Sequence, residues 1–144
     1  MQLTPQTTDA MNSVQTSRML AALAALAQEN RLAVFRLLVE HSPDGLTAGA
    51  IGSRLELPPA TLSFHLKSLA HADLVASTAE GRFLRYRANI ETMNALVGYL
   101  LANCCVRSST CDPACTPGGG AVAPVVHQVP VAAIGRGSRK RAAG

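Results

Sequence analysis

The stretch Thr47–Ala70, TAGAIGSRLELPPATLSFHLKSLA, decides the fold. Thr47 is a good helix N-cap, because its side-chain oxygen can accept from an amide of the first turn. Ala48, Ile51 and Leu55 then recur on one side of a short helix. Leu57-Pro58-Pro59 ends that helix: a residue preceding proline avoids the α region, whereas proline is tolerated in the first turn of the helix that follows. The spacing predicts a next helix to about Ala72, with Leu62, Leu66 and Leu69 inward and Thr61, Ser63, Phe64, Lys67 and Ser68 on or near the outer face. Two helices joined by a tight turn, the second polar outside, describe a helix-turn-helix. His65, one position from Leu66, reads as a packing residue rather than an outward contact.

On the C-terminal side the period becomes strand-like. Leu74-Val75-Ala76-Ser77-Thr78, a turn at Ala79-Glu80-Gly81, and Arg82-Phe83-Leu84-Arg85-Tyr86-Arg87-Ala88 predict a β-hairpin, the wing of a winged helix. Leu84 and Tyr86 point to one face, Arg85 and Arg87 to the other, and Arg82 sits beside the turn. A solvated strand with each arginine near an acid is the plainer reading of any one of them; three in six residues favour a basic patch.

On the N-terminal side, Met19, Leu20, Leu23 and Leu26 predict a helix from about Arg18 to Gln28. A second follows, capped with the help of Asn30 and carrying Leu32, Phe35, Leu38 and Val39 on its apolar face, until Ser42-Pro43-Asp44-Gly45 breaks it. A last helix is expected over about 90–103, with Ile90, Met93, Val97 and Leu100 as its stripe.

The fold class is therefore mostly α with a β-hairpin. The expected organisation is a flexible N-terminal arm over 1–17, a winged helix-turn-helix domain over 18–105, a thiol-rich segment over 106–116 and a disordered basic tail over 117–144. Of thirteen Lys and Arg, four (Arg136, Arg139, Lys140 and Arg141) lie in the last nine residues, and the other nine are matched by nine Asp and Glu. The net charge of +4 thus resides in the tail, and any nucleic-acid footprint of the body must come from local clustering. No apolar run of about eighteen residues could span a bilayer, and the N-terminus lacks a secretory pattern, so a cytoplasmic protein with no membrane partner is expected.

All four cysteines, Cys104, Cys105, Cys111 and Cys115, fall within twelve positions after the last helix. Adjacent cysteines have Cα atoms about 3.8 Å apart, below the usual disulfide range of about 4.4–6.8 Å, so Cys104 and Cys105 do not bridge each other without strain. They can offer two thiolates to one soft ion. Cys104 alone could instead continue the apolar stripe as a small hydrophobe. In a reducing cytosol, thiols so clustered read as ligands or redox sensors. No nucleophile with a partnered base, phosphate-binding glycine loop or metal-activated water motif is present, which argues against an enzyme and against a catalytic cofactor.

Three stretches resemble the ArsR/SmtB family of metal-responsive winged-helix repressors. They are Leu26-Ala27-Gln28-Glu29-Asn30-Arg31-Leu32 at the helix junction, Ala60 to Leu69 with Ala72-Asp73-Leu74-Val75 as recognition helix and exit, and Gly81 to Arg87 as wing. The resemblance implies a homodimer formed by the first and last helices and bound to a partly palindromic operator. It also implies DNA contacts from Pro59, Ala60, Thr61, Ser63, Phe64 and Lys67 in the major groove, and from Arg82, Arg85 and Arg87 to phosphate or the minor groove. Within the family, the arsenite sensors with paired cysteines before the recognition helix are not matched, since residues 48–55 hold no cysteine. The zinc sensors that use Asp and His on the last helices are not matched either. The subgroup with adjacent cysteines after the last helix and a third six residues on is matched by Cys104, Cys105 and Cys111, with Cys115 as a further candidate ligand. The resemblance then implies trivalent arsenic or antimony as inducer.

Other readings stay open. A disulfide from Cys105 to Cys111 or Cys115 would make a redox switch, four thiols could hold zinc, cadmium or lead, and the chain could be a metalloid-binding dimer that no longer binds DNA.

Overall fold

The structure, a computed structural model, describes residues 5–104, 106 and 107. The first helix, α1 (Pro5–Leu26), begins with proline at a position where its missing N–H costs nothing. It corrects the expectation of a helix starting near Arg18: most of the expected arm over 1–17 continues the helix. The Thr16 hydroxyl lies 2.7 Å from that of Tyr99 on the last helix, a link the apolar pattern could not show. Over residues 11–26 the buried positions are Met19, Ala22 and Ala25, with Leu26 partly buried, while Leu20 and Leu23, expected in the stripe, face out. Alanines lie inward where helices approach closely.

Helix α2 (Glu29–Glu40) starts one residue before the expected cap: the Gln28 side chain, not that of Asn30, accepts from the Arg31 amide at 2.8 Å. The Arg31 guanidinium reaches back, Nε donating to the Ala25 carbonyl at 2.6 Å and Nη2 to that of Ala24 at 3.3 Å. It thereby satisfies carbonyls at the end of α1 with a cation where the helix dipole favours one. Val34, Phe35, Leu37 and Leu38 are buried, whereas Leu32 and Val39, expected inward, are exposed.

A two-residue strand β1 (Leu46–Thr47), too short to show any period, precedes α3 (Ala48–Leu55). Thr47 caps α3 as expected, its hydroxyl accepting from Ala50 N at 3.3 Å. Helix α4 (Pro59–His71) buries Leu62, Leu66 and Leu69, also as expected. Strands β2 (Val75–Glu80) and β3 (Phe83–Ala88) then form an antiparallel hairpin, and β1 adds to the far side of β3 in the order β1-β3-β2. The hairpin turn is Gly81-Arg82 rather than Ala79-Glu80-Gly81, since Glu80 pairs with Phe83 inside the ladder. Gly81 has φ +61°, and glycine at the first central position suits a two-residue hairpin turn. Helix α5 (Ile90–Leu101) is two residues shorter than expected and is capped by Asn89, whose side chain accepts from Thr92 N.

Val34, Leu38, Ile51, Leu62, Leu69 and Leu74 are the largest fully buried side chains, so α2, α3, α4 and the root of the hairpin share one core. Gly45 (φ +75°) lets the loop before β1 press on β3: a β-carbon there would overlap the Tyr86 carbonyl. The core fixes α4 from beneath, and the sheet fixes the wing beside it.

Candidate nucleic-acid interface and thiol segment

With Leu62, Leu66 and Leu69 inward, the helical period turns Pro59, Ala60, Thr61, Ser63, Phe64 and Lys67 outward, and all six are exposed. No side chain caps the start of α4, where Pro58 occupies the cap position. The outer face therefore offers hydroxyls, a methyl, one ammonium and an aromatic ring, a set able to meet base edges and thymine methyls. Ser68 is partly engaged, its hydroxyl donating to the Phe64 carbonyl at 3.0 Å.

His65 belongs to the core, as expected. It is 6% exposed, and neither ring nitrogen has a hydrogen-bond partner among the described residues. Burial first, and the Arg31 charge second, hold its pKa below the ordinary histidine value. The ring meets Phe64 edge-on at 5.8 Å between centroids. A neutral imidazole thus sits directly behind the outer face of α4.

The three wing arginines are not equivalent. Arg82 lies exposed at the turn and makes no ion pair among the described residues. Arg85 donates from Nε to Glu80 Oε2 at 2.7 Å and from Nη1 to the Gly45 carbonyl at 3.1 Å. Arg87 donates from Nη2 to Glu80 Oε1 at 2.9 Å and from Nε to the Pro43 carbonyl at 3.1 Å. These two side chains brace the hairpin against the loop between α2 and β1. Hydrogen bonds from Arg85 and then Arg87 hold the Glu80 carboxyl below its usual range. Sequence reasoning placed Glu80 in the turn and set the reading of arginines beside acids below a three-arginine patch; that plainer reading holds for Arg85 and Arg87, and only Arg82 fits the other. Phe83 was also left out of the candidate residues, yet at 67% it is about as exposed as Phe64 at 61%.

The exit of α4 is tied to the start of α5. Asp73, in the left-handed region at φ +60°, accepts from Asn89 Nδ2 at 3.3 Å and from the Thr92 hydroxyl at 3.0 Å, with Arg18 of α1 at 3.5 Å. The Asn89 amide donates to the Leu74 carbonyl at 2.8 Å. At the other end of α5, Cys104 is exposed and its amide donates to the Leu101 carbonyl at 3.1 Å. Cys105, Cys111 and Cys115 lie outside the described residues, as do 108–144. Among the described residues no three His, Cys, Asp or Glu side chains form a metal-binding group. Likewise, no described helix is long and apolar enough to cross a membrane.

On α5 only Leu96 is fully buried, and Ile90, Val97, Leu100 and Leu101 are exposed. Leu20 and Leu23 of α1 add to the apolar surface left open.

Residues 26–78 match a protein family described as a helix-turn-helix domain. No curated protein matches the chain. Among solved structures the chain is similar to an ArsR-like transcriptional regulator from Rhodococcus sp. RHA1, with 27% identity and a TM-score of 0.54 over 59% of this chain and 77% of that one. It is similar to HlyU from Vibrio cholerae, with 28% identity and a TM-score of 0.50 over 59% of this chain and 92% of that one. The reduced form of HlyU gives 26% identity and a TM-score of 0.51 over 64% of this chain and 96% of that one. The winged helix-turn-helix is the fold of this chain.

Proposed function

We propose that the protein is a transcriptional repressor of the ArsR/SmtB type that binds operator DNA as a homodimer and releases it when trivalent arsenic or antimony binds Cys104, Cys105 and Cys111. The observation that carries the DNA-binding part is the exposed, polar outer face of α4, on a helix whose opposite face is anchored by buried leucines and which lies beside an arginine-bearing wing. The helix-turn-helix match and the likeness to a transcriptional regulator support the same reading. On this reading Pro59, Ala60, Thr61, Ser63, Phe64 and Lys67 enter the major groove, and Arg82 meets phosphate first. Arg85 and Arg87 contribute through the N–H groups they have not committed. The exposed faces of α1 and α5 meet a second copy, which sets the spacing of two recognition helices.

The thiol part rests on the four-cysteine cluster beside the end of α5. Soft thiolates select thiophilic ions, and trivalent arsenic takes three sulfurs, its lone pair filling the remaining direction. Each ligand must lose its proton, so binding releases protons and strengthens as pH rises. An ion held at one end of α5 reaches α4 through the other end, where Asn89 and Thr92 bond Asp73 and Leu74. A hundredfold loss of operator affinity needs a coupling of only about 2.7 kcal/mol.

The test is fluorescence anisotropy of the reduced, metal-free protein on labelled promoter DNA, titrated with arsenite, with Cys105→Ser as control. Tight binding that arsenite reverses only in the unmodified chain supports the reading; tight binding indifferent to arsenite removes its inducer. A second reading, a thiol redox switch, is favoured by the likeness to a protein whose solved form is named as reduced. It requires that oxidant alone release the DNA and that reductant restore binding.

A further inference from the structure

Glu80 stands inside the wing, on strand β2, where a DNA-binding surface has least use for a negative charge. Its two oxygens are divided between two guanidiniums, one at 2.7 Å and one at 2.9 Å. Each guanidinium also donates to a main-chain carbonyl of the loop between α2 and β1, Arg85 to Gly45 and Arg87 to Pro43. The arginines are not hidden: their side chains are 33% and 35% exposed. A guanidinium carries five N–H donors, so after two such bonds each keeps three for another acceptor. One carboxylate against three arginines leaves the wing positive, with Arg82 unpaired among the described residues.

We propose that Glu80 is a specificity-determining residue of the wing: it holds Arg85 and Arg87 against the body of the protein and so suppresses attachment to arbitrary duplex. The inference rests on the DNA-binding reading given above, and not on the thiol switch. Non-specific binding is almost wholly a matter of phosphate neutralisation, whereas operator binding adds base contacts from α4. A carboxylate that offsets part of the wing's charge therefore weakens the first more than the second. A phosphate approaching Arg85 or Arg87 must either displace Glu80 or sit close to its charge.

The experiment measures anisotropy of the full-length reduced chain on promoter duplex and on a scrambled duplex of equal length and composition, over about 50–300 mM salt. The variants are Glu80→Gln, Glu80→Asp, Arg85→Gln/Arg87→Gln and the triple Gln substitution, each with a thermal melt. Glu80→Gln should tighten scrambled-duplex binding by about tenfold, steepen its log–log salt dependence by about one to two, and tighten promoter binding less. Glu80→Asp, which keeps the charge but shortens the reach, should move part of the way. In the Arg85→Gln/Arg87→Gln background, removing the Glu80 charge should change scrambled-duplex affinity by less than about twofold. An equal gain with and without the arginines would reduce the effect to general charge removal and overturn the inference. So would an unchanged affinity, or a loss on both duplexes with a lower melting temperature, which would make Glu80 a structural brace only. Failure of the unmodified chain to bind either duplex would instead overturn the DNA-binding reading itself, and is visible without any variant.

Discussion

Helices α4 and α5 are nearly equal in length, at thirteen and twelve residues, and similarly rich in leucine, but they spend those side chains differently. Helix α4 turns Leu62, Leu66 and Leu69 into the core of its own chain and, His65 apart, keeps its polar groups outside. Helix α5 buries Leu96 and leaves Ile90, Val97, Leu100 and Leu101 exposed. Helix α4 is therefore packed within one chain, whereas α5 has an apolar face that the described residues do not cover. The contrast matches the proposed roles: a rigid reading head on one side, and on the other an interface whose geometry a ligand can bias.

The sharpest way to break this contrast is to truncate one leucine on each helix. Leu69 is fully buried, so Leu69→Ala should cost about 2–5 kcal/mol and lower the melting temperature at every protein concentration. Leu100 is 57% exposed, and Leu100→Ala should leave the fold of each chain nearly unchanged. If both substitutions destabilise equally and independently of concentration, the distinction between the two helices is wrong.

A charge on the outer face of α5 tests what covers it. Leu100→Glu should shift sedimentation from dimer to monomer at micromolar concentration and weaken operator binding by at least about tenfold, because two recognition helices would no longer be held at one spacing. Retention of the dimer together with full operator affinity would move the interface elsewhere.

Acid should discriminate the two helices more gently. His65 of α4 is held neutral by burial and by Arg31, so its folded pKa lies below the unfolded value near 6.5. Between those two values the unfolded chain binds a proton that the folded chain refuses, so stability falls as pH falls through that window and is fully present above it. His65→Met should flatten the dependence of melting temperature on pH between about 7 and 5. A wild-type curve no steeper than that of the variant would mean that the imidazole finds a proton acceptor when charged.

How much was legible follows the same division. Leucines at helical spacing located α4 and its buried side, because there the chain packs on itself. The same pattern on α1 and α5 located the helices but not what covers each face, since apolar spacing reports that a face is to be covered and not by what; Met19 of the α1 stripe is inward, together with Ala22 and Ala25, which are small and easily overlooked. Strand β1 has two residues and no period. The Glu80 clamp depends on a diagonal reach across the hairpin and on carbonyls some forty residues away in sequence, at Gly45 and Pro43, which no local pattern encodes. The outward residues of α4 were readable as those left over once the leucines were placed, whereas Cys105, Cys111 and Cys115 lie outside the described residues.

The smallest effect concerns how the two helices begin. Helix α4 starts at Pro58-Pro59 with no side-chain cap, whereas the Asn89 side chain accepts from Thr92 N at 3.2 Å and donates to Asp73 at 3.3 Å. Asn89→Ala should therefore cost about 1 kcal/mol from the lost cap. Asn89→Asp separates the two bonds: its carboxylate can still accept from Thr92 N, and a negative charge suits a helix N-terminus, but it cannot donate to Asp73 and would face it with like charge. If the bond to Asp73 carries motion from α5 to the exit of α4, Asn89→Asp should keep most of the stability that Asn89→Ala loses, yet reduce the factor by which arsenite weakens operator binding. If both variants respond to arsenite as the unmodified chain does, Asn89 is a cap and nothing more, and the coupling runs through the Leu74 carbonyl or through the dimer interface itself.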